Sequence, residues 1–511
     1  FVKIMKLESK YGIIIIRYKK IKRKYRIMQK IANIIKKHDY IFMTIVILII
    51  VSGYAVNANG GPNDSFWNFS NIYKMYEGEQ IYADINIIIT PLFFYIGEIF
   101  MYILGSNYIS YQIYNIITTV ILFVLIYHLF RKLKIQKLTA MTYVIVSLIV
   151  LMPFYISATN YNVLAILFSL LGITNLIKNE LNTKTAIFQG IIAFLVFMSK
   201  QNIGVFYIIG LILYAIISKK SIKQLLISAI TFLIGVIFTI IAFLINGNLY
   251  SFIDYAFLGI SEFATKNVYI QIISILKFLI YIAIILYAFI IIFNKKIDIE
   301  KEIKENVKIL LSFTIPFAFI VYPIFNTYHL ILAGILPCIL LIYSLTVTIK
   351  QAKLKKITII GTICLAIFSI YLFTDYIRKI TNEDYYFKGN HPYNGMLIDE
   401  EQYNEMQEVC DFVEENNANG IDVKILSHRA MRYLVQLHQF NGELDLPFHG
   451  NLAKDGEDGL IETIQNLKNT KVVILKEGET RAQESEKVED FIKQNYEKVE
   501  EISMFDVYYI K

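Results

Sequence analysis

The stretch "GPNDSFWNFSNIYKMYEGEQIYADINIIITPL", Gly61–Leu92, lies between two apolar runs near the start of a chain of 511 residues. It holds the only tryptophan, Trp67, two aspartates, Asp64 and Asp84, and a Pro-Leu pair at 91–92, in a sequence that is 56% hydrophobic and only 18% charged. So much polar and turn-forming sequence between two hydrophobic runs marks an aqueous loop with structure of its own.

The surrounding sequence is membrane-spanning. A helix needs about 20 apolar residues to cross a bilayer. Such runs centre on 41–56, 109–130, 138–155, 162–177, 185–200, 203–218, 224–246, 269–293, 307–322, 329–348 and 357–374. A further apolar run, 87–104, contains Pro91, Gly97 and Glu98.

Charge orients these segments. Residues 1–40 carry 13 Lys and Arg against Glu8 and Asp39, which holds this end in the cytoplasm by the positive-inside rule. The basic loops "RKLKIQK" from Arg131, "IKNELNTK" from Ile177, "SKKSIKQ" from Ser218, "NKKIDIEKEIKENVK" from Asn294 and "IKQAKLKK" from Ile349 belong on the same side. Two full crossings between Leu92 and Arg131 would put "RKLKIQK" outside. The run 87–104 is therefore expected to be a juxtamembrane or re-entrant helix at the outer surface. The expected architecture is a polytopic all-α membrane domain, 41–374, of about eleven transmembrane helices with a first outer loop at 57–108. A basic cytoplasmic segment, 1–40, precedes it. The segment around Ile41 to Val56 reads as a retained first span rather than a cleaved signal peptide.

The last part differs. Residues 1–374 carry 35 basic against 14 acidic side chains, whereas 375–511 carry 15 against 28. Strand-like "DVKILS" and "KVVILKEG" alternate with helical "DEEQYNEMQEVCDFVEENN", "RAMRYLVQLHQF" and "GLIETIQNL", and the end reads as a helix and then a final strand. This predicts a small extracytoplasmic α/β domain. It lacks a Gly-rich phosphate loop, metal-ligand spacing and a nucleophile elbow. The lone Cys410 there, with Cys338 and Cys364 in spans, excludes a disulfide framework. Basic residues confined to short loops flanking spans argue against nucleic-acid binding.

The loop "NDSFWNFSNIYKMYEGEQIYADINIIITPLFFYIGEIF" resembles the first outer loop of GT-C membrane glycosyltransferases, in particular the polyprenyl-phosphate-sugar enzymes related to protein mannosyltransferases. In that family an acidic residue soon after the first span precedes an aromatic-rich amphipathic segment. A G-x-x-[IP]-Y-x-D turn and a Pro-Leu opening a juxtamembrane helix follow. Asp64, Gly78, Tyr82, Asp84, Pro91 and Leu92 stand at the matching places. "SKQN" from Ser199 and "YHLILAGILP" from Tyr328 are similar to outer ends of later spans. Where many members have a second acidic residue, this chain has Ser65.

The resemblance implies an inverting transfer of a sugar from a polyprenyl-phosphate donor to an acceptor: a cell-envelope glycan, a lipid or a protein. It implies action at the outer face of a bacterial cytoplasmic membrane. Such chemistry needs one base for the attacking hydroxyl and cations around the departing phosphate. Asp64 is the candidate base; its bland alternative is a helix N-cap. Lys200 and His329, at outer ends of spans, are candidate phosphate ligands, against ordinary snorkelling and an interfacial histidine. Asp84, Asn160, Tyr161 and Lys266 complete the candidate substrate residues, although Asp84 and Asn160 equally suit turns. Lys277, two turns into a span, is expected to line a cavity or meet a carboxylate, and Trp67 to anchor at the membrane interface. No metal or other cofactor is predicted; a divalent ion at Asp84 is the alternative. A lipid or polysaccharide flippase without covalent chemistry is the competing reading, and a scaffold presenting the tail leaves the polar loop unexplained.

Overall fold

The computed structural model describes residues 37–57, 63–157, 160–177, 179–260, 269–293, 300–322, 324–348, 367, 370–371, 374–381, 387–440, 442–444, 452–479 and 485–511. The basic segment before residue 37, Lys266 and nearly all of the expected last span lie outside them, as do the side chains of Asp64 and Asn160.

The helices are α1 Asp39–Asn57, α2 Asn63–Tyr76, α3 Leu92–Leu104, α4 Tyr108–Lys132, α5 Lys137–Ser157, α6 Asn160–Leu176, α7 Thr183–Ser199, α8 Gln201–Ile217, α9 Ile222–Ile245 and α10 Leu249–Ile253. After the short strand β1 Tyr269–Ile270 come α11 Ile272–Phe293, α12 Lys301–Phe317, strand β2 Ile324–Phe325, α13 Thr327–Ala333 and α14 Ile335–Thr348. Four of them, α1, α4, α9 and α11, are long and apolar enough to cross a bilayer by length and composition, and shorter apolar helices lie between them. The chain is a multi-pass membrane protein. Helices α9 and α11 leave rows of Ile, Leu and Phe exposed, Ile230, Leu233, Ile237 and Phe238 on α9 among them, as a lipid-facing surface requires.

Ion pairs gather the basic loops on one side. Asp39, at the start of α1, accepts from the Tyr127 hydroxyl at 2.7 Å and from Lys137 Nζ at 3.1 Å, with Arg131 Nε at 3.8 Å. Lys134 meets Glu302 at 2.5 Å, and Lys220 meets Glu305 at 3.4 Å. The end of α4 therefore lies beside the start of α1, which requires an even number of crossings from Asp39 to Arg131.

Helix α3 covers the run expected not to cross, and it is short. Its 13 residues rise about 20 Å, short of the roughly 30 Å hydrocarbon core. Phe93 and Phe100, near its two ends, both pack on Tyr114, two turns into α4. Gly97 lets α2 close on α3, because a Cβ there would collide with the Ile72 side chain. The run expected at 329–348 is broken in two at Gly334, where a Cβ would strike the Tyr281 hydroxyl. Helix α12 begins at Lys301, inside the loop expected from charge alone; its Glu302 and Glu305 reach across to Lys134 and Lys220.

The C-terminal part forms a four-stranded sheet in the order β3–β4–β6–β5, with β3 Asp422–Ile425, β4 Thr470–Leu475, β5 Glu497–Ile502 and β6 Phe505–Ile510. The pair β3–β4 is parallel, and β4–β6 and β6–β5 are antiparallel. Alternate residues divide the core. Val423, Ile425, Val473 and Leu475 pack with α15 Glu400–Ala418 through Met406, Val409 and Val413, whereas Val472 and Ile474 pack with Leu460, Ile464, Val488 and Ile492. The expected single final strand is a hairpin: β5, rich in Glu and Lys, is an exposed edge strand paired to β6.

Candidate functional site

Helix α2 is amphipathic on several faces at once, so it is enclosed. Phe66, Ser70 and Tyr73 meet the C-terminal part: Phe66 lies under Arg432 at 5.0 Å, Ser70 Oγ donates to Met431 Sδ at 2.6 Å, and the Tyr73 hydroxyl meets His438 Nδ1 at 3.1 Å. Phe69 packs on Tyr108, Tyr111 and Tyr393. Trp67 packs edge-on against Phe94 and Tyr161, each at 6.1 Å. It is thus half-buried, packed from α2 onto α3 and α6 rather than anchored at a lipid interface. Nothing is described of the Asp64 carboxylate; its backbone is the second residue of α2.

After α2 the chain turns at Gln80–Ile85. Tyr82 takes a left-handed backbone, φ 71°, unusual for a large residue, and its hydroxyl donates to Ile89 O at 2.7 Å. Asp84 closes this turn: its carboxylate accepts from the Gln80 N–H at 2.8 Å. The segment that follows is tied to the break between α7 and α8, since Thr90 Oγ1 donates to Phe197 O at 2.7 Å and Gln201 Nε2 to Ile88 O at 2.7 Å.

That break is Lys200. Its extended backbone, φ −160° and ψ 118°, reverses the chain between two helices that then run back along each other. Gly204 permits the tight reversal, because a Cβ there would collide with the Phe197 backbone. The ammonium does not reach away as a snorkelling lysine would. It donates to Asn162 Oδ1 at 2.6 Å and lies 5.0 Å from the Tyr161 ring centroid. His329, in the first turn of α13, feels the Lys200 charge, and Asn326 Oδ1 orients it by accepting from its backbone N–H and its Nδ1–H, each at 2.9 Å.

The structure thus brings together Lys200, Tyr161 and His329 from the sequence candidates, and adds Asn162, Asn326 and Trp67. Asn160 begins α6 one residue before Tyr161. Lys277 is exposed and donates to Thr327 Oγ1 at 2.9 Å, so its partner is a hydroxyl rather than a carboxylate. Among the described residues no group of three or more His, Cys, Asp or Glu side chains is placed to hold a metal.

At the far end of α2, Lys74 is fully buried, with its Nζ 5.4 Å from the Phe440 ring centroid. Burial draws its pKa down to about 7, opposed by the charge of Glu79. Burial and the neighbouring Asp84 in turn raise Glu79.

Two comparisons bear on this arrangement. Residues 89–246 match the family model of dolichyl-phosphate-mannose-protein mannosyltransferases. The fold is similar to that of ArnT from Cupriavidus metallidurans, solved bound to undecaprenyl phosphate, with TM-score 0.54 at 10% identity over 92% of this chain and 98% of that one. The chain has a GT-C fold. The resemblance to GT-C membrane glycosyltransferases carried by the first outer loop is met by both comparisons. A looser likeness joins it to the oligosaccharyltransferase of Archaeoglobus fulgidus tethered to an acceptor peptide, with TM-score 0.46 at 13% identity over 86% of this chain and 69% of that one. No curated protein sequence matches it.

Proposed function

We propose that this protein is an integral-membrane glycosyltransferase that moves a sugar from a polyprenyl-phosphate donor to an acceptor hydroxyl at the outer face of a bacterial cytoplasmic membrane. The observation that carries this is the Lys200 cluster. A cation and a histidine from separate helices stand together, oriented by Asn162 and Asn326 and roofed by the outer-loop helix that bears Asp64. A lysine ammonium with a histidine beside it suits a lipid phosphate better than a neutral ligand. The related fold of ArnT, solved with undecaprenyl phosphate bound, supports the same class of ligand.

In the reaction the acceptor oxygen attacks the anomeric carbon and Asp64 takes its proton. The bond from that carbon to the phosphate oxygen breaks with inversion. The departing phosphate keeps the electron pair, and Lys200 and His329 stabilise it. Asp84 braces the turn that docks on Phe197, a positioning role. In this orientation the amino-terminal segment is cytoplasmic and the C-terminal part is outside, where Met431, Arg432 and His438 meet α2 and shape the way in for the acceptor.

The test is release of undecaprenyl phosphate. Purified full-length protein in liposomes is given undecaprenyl phosphate carrying glucose, galactose, mannose or arabinose, together with cell-envelope extract as acceptor. Free undecaprenyl phosphate should accumulate with at least one donor. Movement of intact donor between leaflets without release would show a flippase instead.

A further inference from the structure

Helix α2 has a polar face that the reaction above does not use. Trp67, Asn71 and Lys74 stand at i, i+4 and i+7 and so form one stripe, with Asn68 on its flank. Asn68 and Asn71 expose none of their surface. The amide nitrogen and oxygen of each are buried without a hydrogen-bond partner, and so is the Trp67 indole N–H. Five buried polar atoms left unpaired on 14 residues of helix are costly and rare.

The other faces of the helix do not share this defect. Ser70 donates to Trp67 O at 3.1 Å and to Met431, and Tyr73 meets His438. Packing alone would have been better served by leucine at 68 and 71, since an apolar side chain of the same shape carries no desolvation penalty. A polar ligand placed here would satisfy these groups.

Position and chemistry identify that ligand. Trp67 touches Tyr161, and Tyr161 lies beneath the Lys200 ammonium, so the stripe begins where the donor phosphate would sit. From Trp67 to Lys74 it rises about 10 Å, the span of one or two sugar rings. A carboxamide both donates and accepts, as a sugar hydroxyl does, whereas a phosphate only accepts and would leave each Oδ1 unpaired. Resting on the donor reading above, we infer that Trp67, Asn68 and Asn71 form the subsite that reads the donor sugar, pairing with its ring hydroxyls and setting which sugar is transferred.

The experiment measures affinity on the purified full chain in nanodiscs for undecaprenyl phosphate and for the glycosylated lipid that wild type binds most tightly among the glucose, galactose, mannose and arabinose forms. Asn68→Leu and Asn71→Leu should weaken the glycosylated lipid about ten-fold or more, change undecaprenyl phosphate less than about two-fold, and unfold no lower than wild type. Lys200→Gln should weaken both lipids. Wild-type affinity of the Asn variants for the glycosylated lipid would overturn the subsite alone. A lower unfolding temperature would overturn it too, by making the carboxamides structural. Equal wild-type affinity for glycosylated lipid and undecaprenyl phosphate would have the same consequence. Unchanged binding of undecaprenyl phosphate by Lys200→Gln would remove the donor reading and the subsite with it.

Discussion

Lys200 Nζ donates to Asn162 Oδ1 at 2.6 Å, which fastens the reversal between α7 and α8 to the first turn of α6. That bond fixes where the ammonium points at the reversal. Lys200→Gln should lower transfer about 100-fold or more while the protein still folds, as loss of a charged group that stabilises a leaving phosphate does. Asn162→Leu should cost less, about ten-fold, because the charge remains and only its aim is lost. Initial rates at saturating donor measure both.

Gly204 sits one turn after Lys200, against the Phe197 backbone. Backbone cannot yield as a side-chain tip does, so Gly204→Ala must open the reversal. The expected cost is about 1–3 kcal/mol of stability, with a fall in transfer out of proportion to it as Lys200 moves. Gly97→Ala is the contrast: it meets the flexible end of Ile72, and should disturb unfolding temperature less.

Lys74 predicts a pH dependence. An unfolded lysine holds its proton to about pH 10.4, whereas the buried Lys74 releases it at about 7. Between these values the unfolded chain binds more protons than the folded one. Stability should then rise with pH from about 7 towards 10, and the full penalty of the buried charge is present below 7. Lys74→Met should flatten the slope. Thermal unfolding from pH 6 to 9, wild type beside variant, reads the difference and cancels other titrating groups.

The ion pairs of Asp39 with Lys137 and of Lys220 with Glu305 join basic loops, which the positive-inside rule assigns to the cytoplasm. With Cys338, Cys364 and Cys410 replaced by serine, a membrane-impermeant maleimide applied to intact cells should label Asn394→Cys and spare Gln136→Cys. Labelling of residue 136 from outside would reverse the orientation.

Much of this was legible in the residues. Span lengths and basic loops carried the membrane domain, and parity singled out 87–104 as a helix that should not cross; the structure makes it a short helix whose Phe93 and Phe100 pack on Tyr114. The β5–β6 hairpin was hidden because an exposed edge strand of Glu and Lys has the composition of a helix surface. Within the site, Lys200, Tyr161 and His329 were found as chemistry-bearing types at span ends. Asn326 was not, since an asparagine near a helix start reads as a cap; it is one, accepting from the His329 N–H while it also holds the ring. Asn68 and Asn71 gave no signal at all, because in sequence they are ordinary polar positions of an amphipathic helix. Only their complete burial sets them apart.

The central claim is that this chain transfers a sugar from lipid phosphate with an outer-loop carboxylate as base. The most direct measurement is transfer from radiolabelled undecaprenyl-phosphate sugar by purified protein, wild type beside Asp64→Asn, with donor binding followed in parallel. Asp64→Asn should bind donor as wild type does and transfer about 1000-fold more slowly or less, as removal of an essential base requires. Undiminished transfer by Asp64→Asn would contradict the role of Asp64, and binding without transfer by wild type would contradict the enzyme itself.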